Sequence, residues 1–361
     1  MKKTMTLAFL LTLLFPACTE QLLPQQEGTL SVTVYDGDRA ATRASDETEF
    51  AYEKKINSIQ LFLFDGATLF NYTYIDTKNA AFPYNQTWTA LKSGSYKIYA
   101  VANAASLEHI ATEADLLSAT IRLSDCGLTE STGFIMAGDN EVTVRPGQQE
   151  SASVALHRFA ARVRLVSVEN AVPSTYAGGG TVALKGVFLI NAQGQWNLGG
   201  TGPASEWVNL GGRAAGKQSS SARSDFIVSA GQVNPSAYQN QVFRTLNDPI
   251  LCGSRKEFTD CCLYSFPNAV VTDRTGNLST EAEGAPTRLV VLAQVNGADW
   301  WYPVTLLDNG KGLERNTTYD VRLVLRATGS SDPNEPVVHG SLQASLSVTG
   351  WTGSTEYTET I

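Results

Sequence analysis

The residues whose types could undergo chemistry sit at scattered places in this 361-residue sequence, and the most exposed of them lie near its start. In the stretch YDGDRAATRASDETE, Tyr35 to Glu49, two arginines, Arg39 and Arg43, stand among small and acidic residues. Nothing around them could bury or pair a guanidinium in a core, so the site is reachable from outside; on the residues alone it reads as a polar turn. Other candidates fail on inspection. Gly211, Gly216 and Lys217 in GGRAAGKQ have phosphate-loop spacing, but Gln218 stands where Ser or Thr would hold magnesium, and no amphipathic helix follows. The three histidines, His109, His157 and His339, show no nucleophile context. Besides Cys18 there are Cys126, Cys252, Cys261 and Cys262; spacing offers no fourth zinc ligand, and leaves open a bridge from Cys252 to Cys261 or Cys262. No catalytic, cofactor or metal site is legible. Trp196, Trp207, Trp300 and Trp301 could stack on sugars, although in a β-protein such residues more often belong to the core or its rim.

The segment before the arginines explains how the chain is handled. MKKTMTLAFLLTLLFPAC combines Lys2 and Lys3 with an apolar run from Met5 to Phe15, the pattern of a signal peptide, and the run is too short to span a bilayer. FPAC resembles the lipobox of bacterial lipoproteins, with Phe15 where Leu is usual; in such proteins the thiol corresponding to Cys18 receives a diacylglyceryl group before cleavage on its N-terminal side. The formal net charge of −8, with no cluster of Lys and Arg, argues against nucleic acid as a partner.

In the elements that hold these residues, period-two alternation dominates. In GTLSVTVYD, Leu30, Val32 and Val34 face one way and Ser31, Thr33 and Tyr35 the other. KINSIQLFLF, LFNYTYI, SYKIYAVAN, EVTV, SASVAL, FAARVRLVSV, TVALKGVFLI, TRLVVLAQV, WYPVTLL and TTYDVRLVLRA read the same way, many of them bounded by Gly, Pro, Asn or Asp. One helix is expected where Leu107, Ile110, Ala111, Ala114 and Leu117 recur. Many short strands with little helix predict an all-β protein of two β-sandwiches with a junction near Leu156. Residues 1–17 are expected to form the signal, 18–43 a propeptide with the first strand, 44–156 the first sandwich and 157–361 the second. Gly199–Ser224 is expected as a long exposed loop. ATGSSDPNEPVVHG breaks the pattern with Pro333 and Pro336 and reads as a tether. After it SLQASLSVTGW resumes alternation, with Leu342, Ala344, Leu346 and Val348 on one face. Residues 341–361 thus read as a strand on a tether.

Several of these stretches together resemble the fimbrillins, subunits of the type V pili of anaerobic Gram-negative bacteria of the gut and mouth. The matching residues are GSYKIYAVANA and GFIMAG, HRFAARVRLVSV at the junction, and LERNTTYDVRLVLRATGSSDPNEP with LSVTGW near the end. The resemblance implies two transthyretin-like sandwiches, lipid-anchored export through Cys18 to the outer membrane, and removal of the first strand by an Arg-specific protease. It further implies head-to-tail polymerisation with copies of the chain or related subunits, in fimbriae outside the cell, and no catalytic site. Cutting after Arg43, with Arg39 the lesser site, would release Leu30, Val32 and Val34 and expose a groove. Leu342, Ala344, Leu346 and Val348 of another subunit could fill it by strand addition. A host or bacterial surface ligand would then be a further partner. The outgoing strand argues against a tip position. The competing expectation is a carbohydrate-binding outer-membrane surface lipoprotein that uses exposed tryptophans and keeps Cys18.

Overall fold

The computed structural model describes residues 27–37, 50–77, 82–175, 180–200, 206–271, 285–337, 340–351 and 358–360. The first part of the chain forms β1 (Gly28–Asp36), β2 (Ser58–Asp65), β3 (Thr68–Asp76), β4 (Tyr84–Leu91), β5 (Gly94–Ala102), α1 (Glu113–Ser118), β6 (Thr120–Arg122), β7 (Met136–Val144) and β8 (Gln149–Arg158). Strands β3-β2-β5-β7 make one antiparallel layer and β8-β1-β4 the other. The layers join at a corner where β7 pairs β8 only through Met136–Arg158 and Ala137–His157.

The second part contains β9 (Ala161–Asn170), β10 (Val182–Ile190), β11 (Ala192–Gln193), β12 (Gln195–Asn197), β13 (Trp207–Val208), α2 (Gln239–Val242), β14 (Phe243–Ile250), β15 (Arg255–Glu257) and β16 (Cys262–Ser265). It continues through β17 (Arg288–Val295), β18 (Ala298–Thr305), β19 (Thr317–Leu325), β20 (Leu342–Gly350) and β21 (Thr358–Thr360). Here β14-β10-β17-β18 form one sheet and β15-β9-β19-β20-β21 the other, with β16 also on β9. The two halves share a device: β1 runs parallel to β8, and β9 parallel to β19. One apolar cluster continues through both sandwiches, from Leu30 and Val154 to Val163, Val290 and Leu346.

Alternation accounts for β1, whose odd and even residues divide between core and surface. Strand β2 is buried on both faces, because residues 104–113 lie across its outer side: Gln60 Nε2 donates to Ala105 O at 2.9 Å and Leu107 N donates to Gln60 Oε1 at 2.8 Å. The helix is shorter than its apolar spacing predicts. Thr112, extended at φ −128°, caps it, with Asp115 N donating to Thr112 Oγ1 at 3.1 Å and Thr112 N to Asp115 Oδ2 at 3.0 Å, so Leu107 and Ile110 fall in a preceding turn.

Two loop expectations are corrected. Within Gly199–Ser224, residues Trp207 to Gly212 are buried, because Asn209 and Asn191 hydrogen-bond the segment inward and Arg213 pairs with Asp332 at 2.6 Å; the exposed part begins beyond them. The Pro-rich tether is likewise pinned: Ser330 exchanges backbone bonds with Trp301, and Asn334 Oδ1 accepts from Asn191 Nδ2 at 3.0 Å and Arg288 Nη1 at 2.6 Å. Its prolines exclude it from the ladder, but its Asp and Asn side chains fasten it to the sandwich.

Candidate functional site: the first strand, its slot and the last strand

Strand β1 occupies an interior position. It pairs β8 in parallel from Thr29–Gln149 to Asp36–Leu156, and β4 antiparallel from Gly28–Leu91 to Val34–Tyr84. Leu30, Val32 and Val34 are fully enclosed, at 0, 1 and 0% exposure. On the outer face Ser31 Oγ lies 3.2 Å from Thr87 Oγ1, and Thr33 Oγ1 donates to Asn85 Oδ1 at 2.7 Å. Among the described strands β4 pairs only with β1. Its Trp88 Nε1, however, donates to Asn71 Oδ1 of β3 at 3.0 Å and ties it across the open side of the sandwich. Taking β1 away would therefore leave a slot between two standing walls, each with a row of unpaired backbone groups over an apolar floor. At the entrance there is no room for a side chain: a Cβ on Gly28 would lie 2.4 Å from Val144 Cγ1 and 2.8 Å from the Arg145 carbonyl oxygen.

Strand β1 ends at a polar surface groove lined by Tyr35, Asp139, His157, Arg315 and Asn316. Arg39, Arg43 and Cys18 lie outside the described residues. The chain is described again from Phe50, at the junction of the two sandwiches. There Glu53, 0% exposed, accepts from Phe50 N and Arg162 Nη1, both at 2.9 Å to Oε2, and from Tyr264 Oη at 2.8 Å to Oε1. Arg158 Nε donates to the Glu53 carbonyl at 2.8 Å. Burial pushes Tyr52 up to about 12, and pushes Tyr264 well above the usual phenol value; both phenols stay protonated, 3.2 Å apart. The same cluster receives Trp351, whose ring centroid is 4.9 Å from Arg158 Cζ, 5.0 Å from Arg162 Cζ and 5.6 Å from the Phe134 ring.

Trp351 follows directly on β20. In the single chain this last strand does not hang free. It pairs β19 from Leu342–Leu325 to Gly350–Thr317, which corrects the picture of a loose strand on a tether: alternating apolar residues close its own sandwich when no other groove is on offer. Ala344, Leu346 and Val348 are buried, at 1, 2 and 8%, while Leu342 is half-buried. On its other side, among the described strands, β20 meets only the short β21, through Ser345 to Ser347. A cavity of about 300 Å³, lined by Pro303, Val337, Leu342 and Ala344 among others, opens beneath its first residues. The strand is thus loose at Leu342 and anchored at Trp351.

The remaining candidates are structural. Cys126, Cys252, Cys261 and Cys262 are free thiols, so the open question of a bridge from Cys252 resolves to none. Burial pushes Cys126, Cys261 and Cys262 up to about 12. No tryptophan is among the exposed large apolar residues that the structure describes: Trp301 is 1% and Trp207 6% exposed, Trp196 and Trp300 are half-buried, and Trp301 Nε1 donates to the Ile227 carbonyl.

Residues 28–172, which begin with β1 and end just beyond β9, match the family model described as major fimbrial subunit protein (FimA). Among solved structures, a fimbrilin from Porphyromonas gingivalis W83 matches with a TM-score of 0.62 at 14% identity, over 91% of this chain and 98% of that one. A candidate cell adhesion protein from Bacteroides eggerthii DSM 20697 gives 0.60 at 21% identity, over 91% and 97%. One from Parabacteroides distasonis ATCC 8503 gives 0.58 at 17%, over 92% and 100%. No curated protein matches the chain. The paired sandwiches are the fold that these solved structures share. Over residues 28–172, less than half of the chain, the sequence is similar to the major fimbrial subunit family.

Proposed function

We propose that the protein is a subunit of a cell-surface fimbrium that supports adhesion, and that β1 is a removable placeholder. Exported as a precursor lipidated on Cys18 and held at the outer membrane, it is cut after Arg43, or to a lesser extent Arg39, by an Arg-specific protease. The peptide carrying Leu30, Val32 and Val34 leaves, and β20 of another copy or of a related subunit enters the slot. Donor and slot are different surfaces, so the contact is heterologous and grows a filament. The mature form is extracellular.

The observation that supports this reading best is the interior place of β1, hydrogen-bonded on both sides yet joined to the rest of the chain only through the segment that bears the arginines. Energetics favour the exchange. Leaving its own sheet, β20 gives up one full ladder and a fragment; entering the slot, it gains neighbours on both sides. Burial of its apolar side chains is similar in both places, about 1.5–3 kcal/mol for each fully enclosed aliphatic residue. Hydrolysis supplies direction, because a severed peptide that diffuses away does not return. In the variant Arg39→Ala with Arg43→Ala, protease treatment should yield no oligomers on unheated gels; normal assembly of that variant would overturn the reading. The sugar-binding alternative finds less support, because Trp207 and Trp301 are buried and Trp196 and Trp300 half-buried.

A further inference from the structure

The strand-exchange reading leaves open how a second copy's β20 lies in the slot, and the residues of both strands answer this. Around β1 the sequence runs Gly28-Thr29-Leu30-Ser31-Val32-Thr33-Val34; before and along β20 it runs Gly340-Ser341-Leu342-Gln343-Ala344-Ser345-Leu346. Each begins with glycine, a hydroxyl residue and leucine, and continues with apolar side chains at every second place. We propose that β20 of a second copy enters in the direction β1 had, parallel to β8 and antiparallel to β4, with Gly340 in the place of Gly28 and Leu342, Ala344 and Leu346 in the places of Leu30, Val32 and Val34. The inference rests on the exchange reading and fixes its register and polarity.

Sterics set the register. The place of Gly28 admits no Cβ, since Val144 and the Arg145 carbonyl fill the space. Sliding the incoming strand two residues one way brings Leu342 there, and two residues the other way brings Val338 there while leaving Gly340 in the site of Leu30. Both put a side chain where there is none to be had. A slide of one residue turns the apolar face outward. Gly340 itself is free to change shape: it stands at φ +90° in the single chain, with nothing within 4 Å of a Cβ, and glycine alone passes readily from that conformation to an extended one.

Polarity has one rival. Run the other way, Gly350 would take the entrance and Val348, Leu346 and Ala344 the three apolar sites. Two facts favour the original direction. It returns a leucine to the fully enclosed site of Leu30, and it keeps every donor and acceptor on β8 and β4 facing the same backbone positions as before, whereas reversal offsets the ladder along both walls.

Disulfide trapping separates the directions at position 31, whose Ser31 Oγ touches Thr87 Oγ1 at 3.2 Å. In the full chain with the exposed Cys252 changed to Ser, Thr87→Cys is combined with Gln343→Cys or with Ser347→Cys. Each protein is then cleaved by an Arg-specific protease and oxidised. The proposal expects a reducible ladder of covalent oligomers from the Gln343→Cys pair and none from the Ser347→Cys pair. A second set, Gln149→Cys with Ser341→Cys or Thr349→Cys, reads the neighbouring wall and covers a pair that fails to fold, with the ladder expected from Ser341→Cys. Ladders from Ser347→Cys or Thr349→Cys overturn the polarity and leave exchange standing. Oligomers on unheated gels with no covalent ladder from any pair overturn the assignment of β20 in this register. Absence of oligomers from the cleaved parent chain removes the exchange reading and this inference with it.

Discussion

Replacing Glu53 by Gln tests whether the junction makes the two sandwiches one mechanical unit. The carboxylate and Arg162 are both 0% exposed in their side chains, and Arg162 has its charge answered by Glu53 Oε2 at 2.9 Å. The amide would preserve shape but remove the charge that Glu53 sets against the buried guanidinium, which lies beside Thr318 Oγ1 and the Trp351 ring. Removing one member of such a pair destabilises by about 3–5 kcal/mol, chiefly because the other charge stays desolvated. Urea denaturation followed by tryptophan fluorescence should show that loss, and the single transition of the parent should split in two as the sandwiches uncouple. Adding Arg162→Met removes the buried charge that Glu53 balanced, so the double variant should recover much of the loss and the coupling energy should be large. Since Glu53 lies on the retained side of Arg43, the effect should be the same before and after cleavage. A Glu53→Gln variant within about 1 kcal/mol of the parent, or a double variant as unstable as the sum of the singles, would refute this account of the junction.

Trp351→Ala should cost about 3–5 kcal/mol as a large buried aromatic is lost, and hydrogen exchange should quicken in Leu342–Gly350 while β9 stays protected; uniform quickening would deny Trp351 an anchoring role for β20. In chain processed at Ala44, a thiol reagent should label Cys252 in the folded state and Cys126, Cys261 and Cys262 only after denaturation, because burial keeps those three protonated near neutral pH; rapid labelling of all four would contradict their burial. Hydrogen bonds from Tyr99 Oη at 2.6 Å and Lys97 Nζ at 2.9 Å hold the Glu113 carboxyl below the usual carboxylate range. Its contribution to stability is therefore present above the unfolded value and fades as pH falls through the lower folded one. Tyr99→Phe should raise the Glu113 midpoint in an NMR titration, and an unchanged midpoint would discount the Tyr99 bond.

Strands that bury at least one face announced themselves in the sequence: β1, β5, β9, β10, β17, β19 and β20 all fall largely within the alternating stretches. Strand β4 did not, because only Trp88 and Leu91 of its eight residues are buried, and an edge strand that lets most of its side chains face solvent carries little periodic signal. It is nonetheless one wall of the slot. Strand β14, with Pro249, was hidden for a similar reason. The junction was illegible because Glu53, Arg162 and Trp351 are far apart in the chain and only the fold assembles them. The final strand was recognised by its alternation, but alternation says that a face is buried and not against which copy; in the single chain it lies in its own sheet.

If β1 is given up when subunits join, its peptide must be missing from the oligomers. Mass spectrometry of oligomers formed after Arg-specific cleavage, denatured so that every retained peptide is counted, tests it directly. Joined subunits should begin at Ala44, and the peptide containing Leu30, Val32 and Val34 should be absent from all but one terminal subunit of each chain. Oligomers that retain this peptide in equal number with their subunits would contradict it, because the slot would never have been empty.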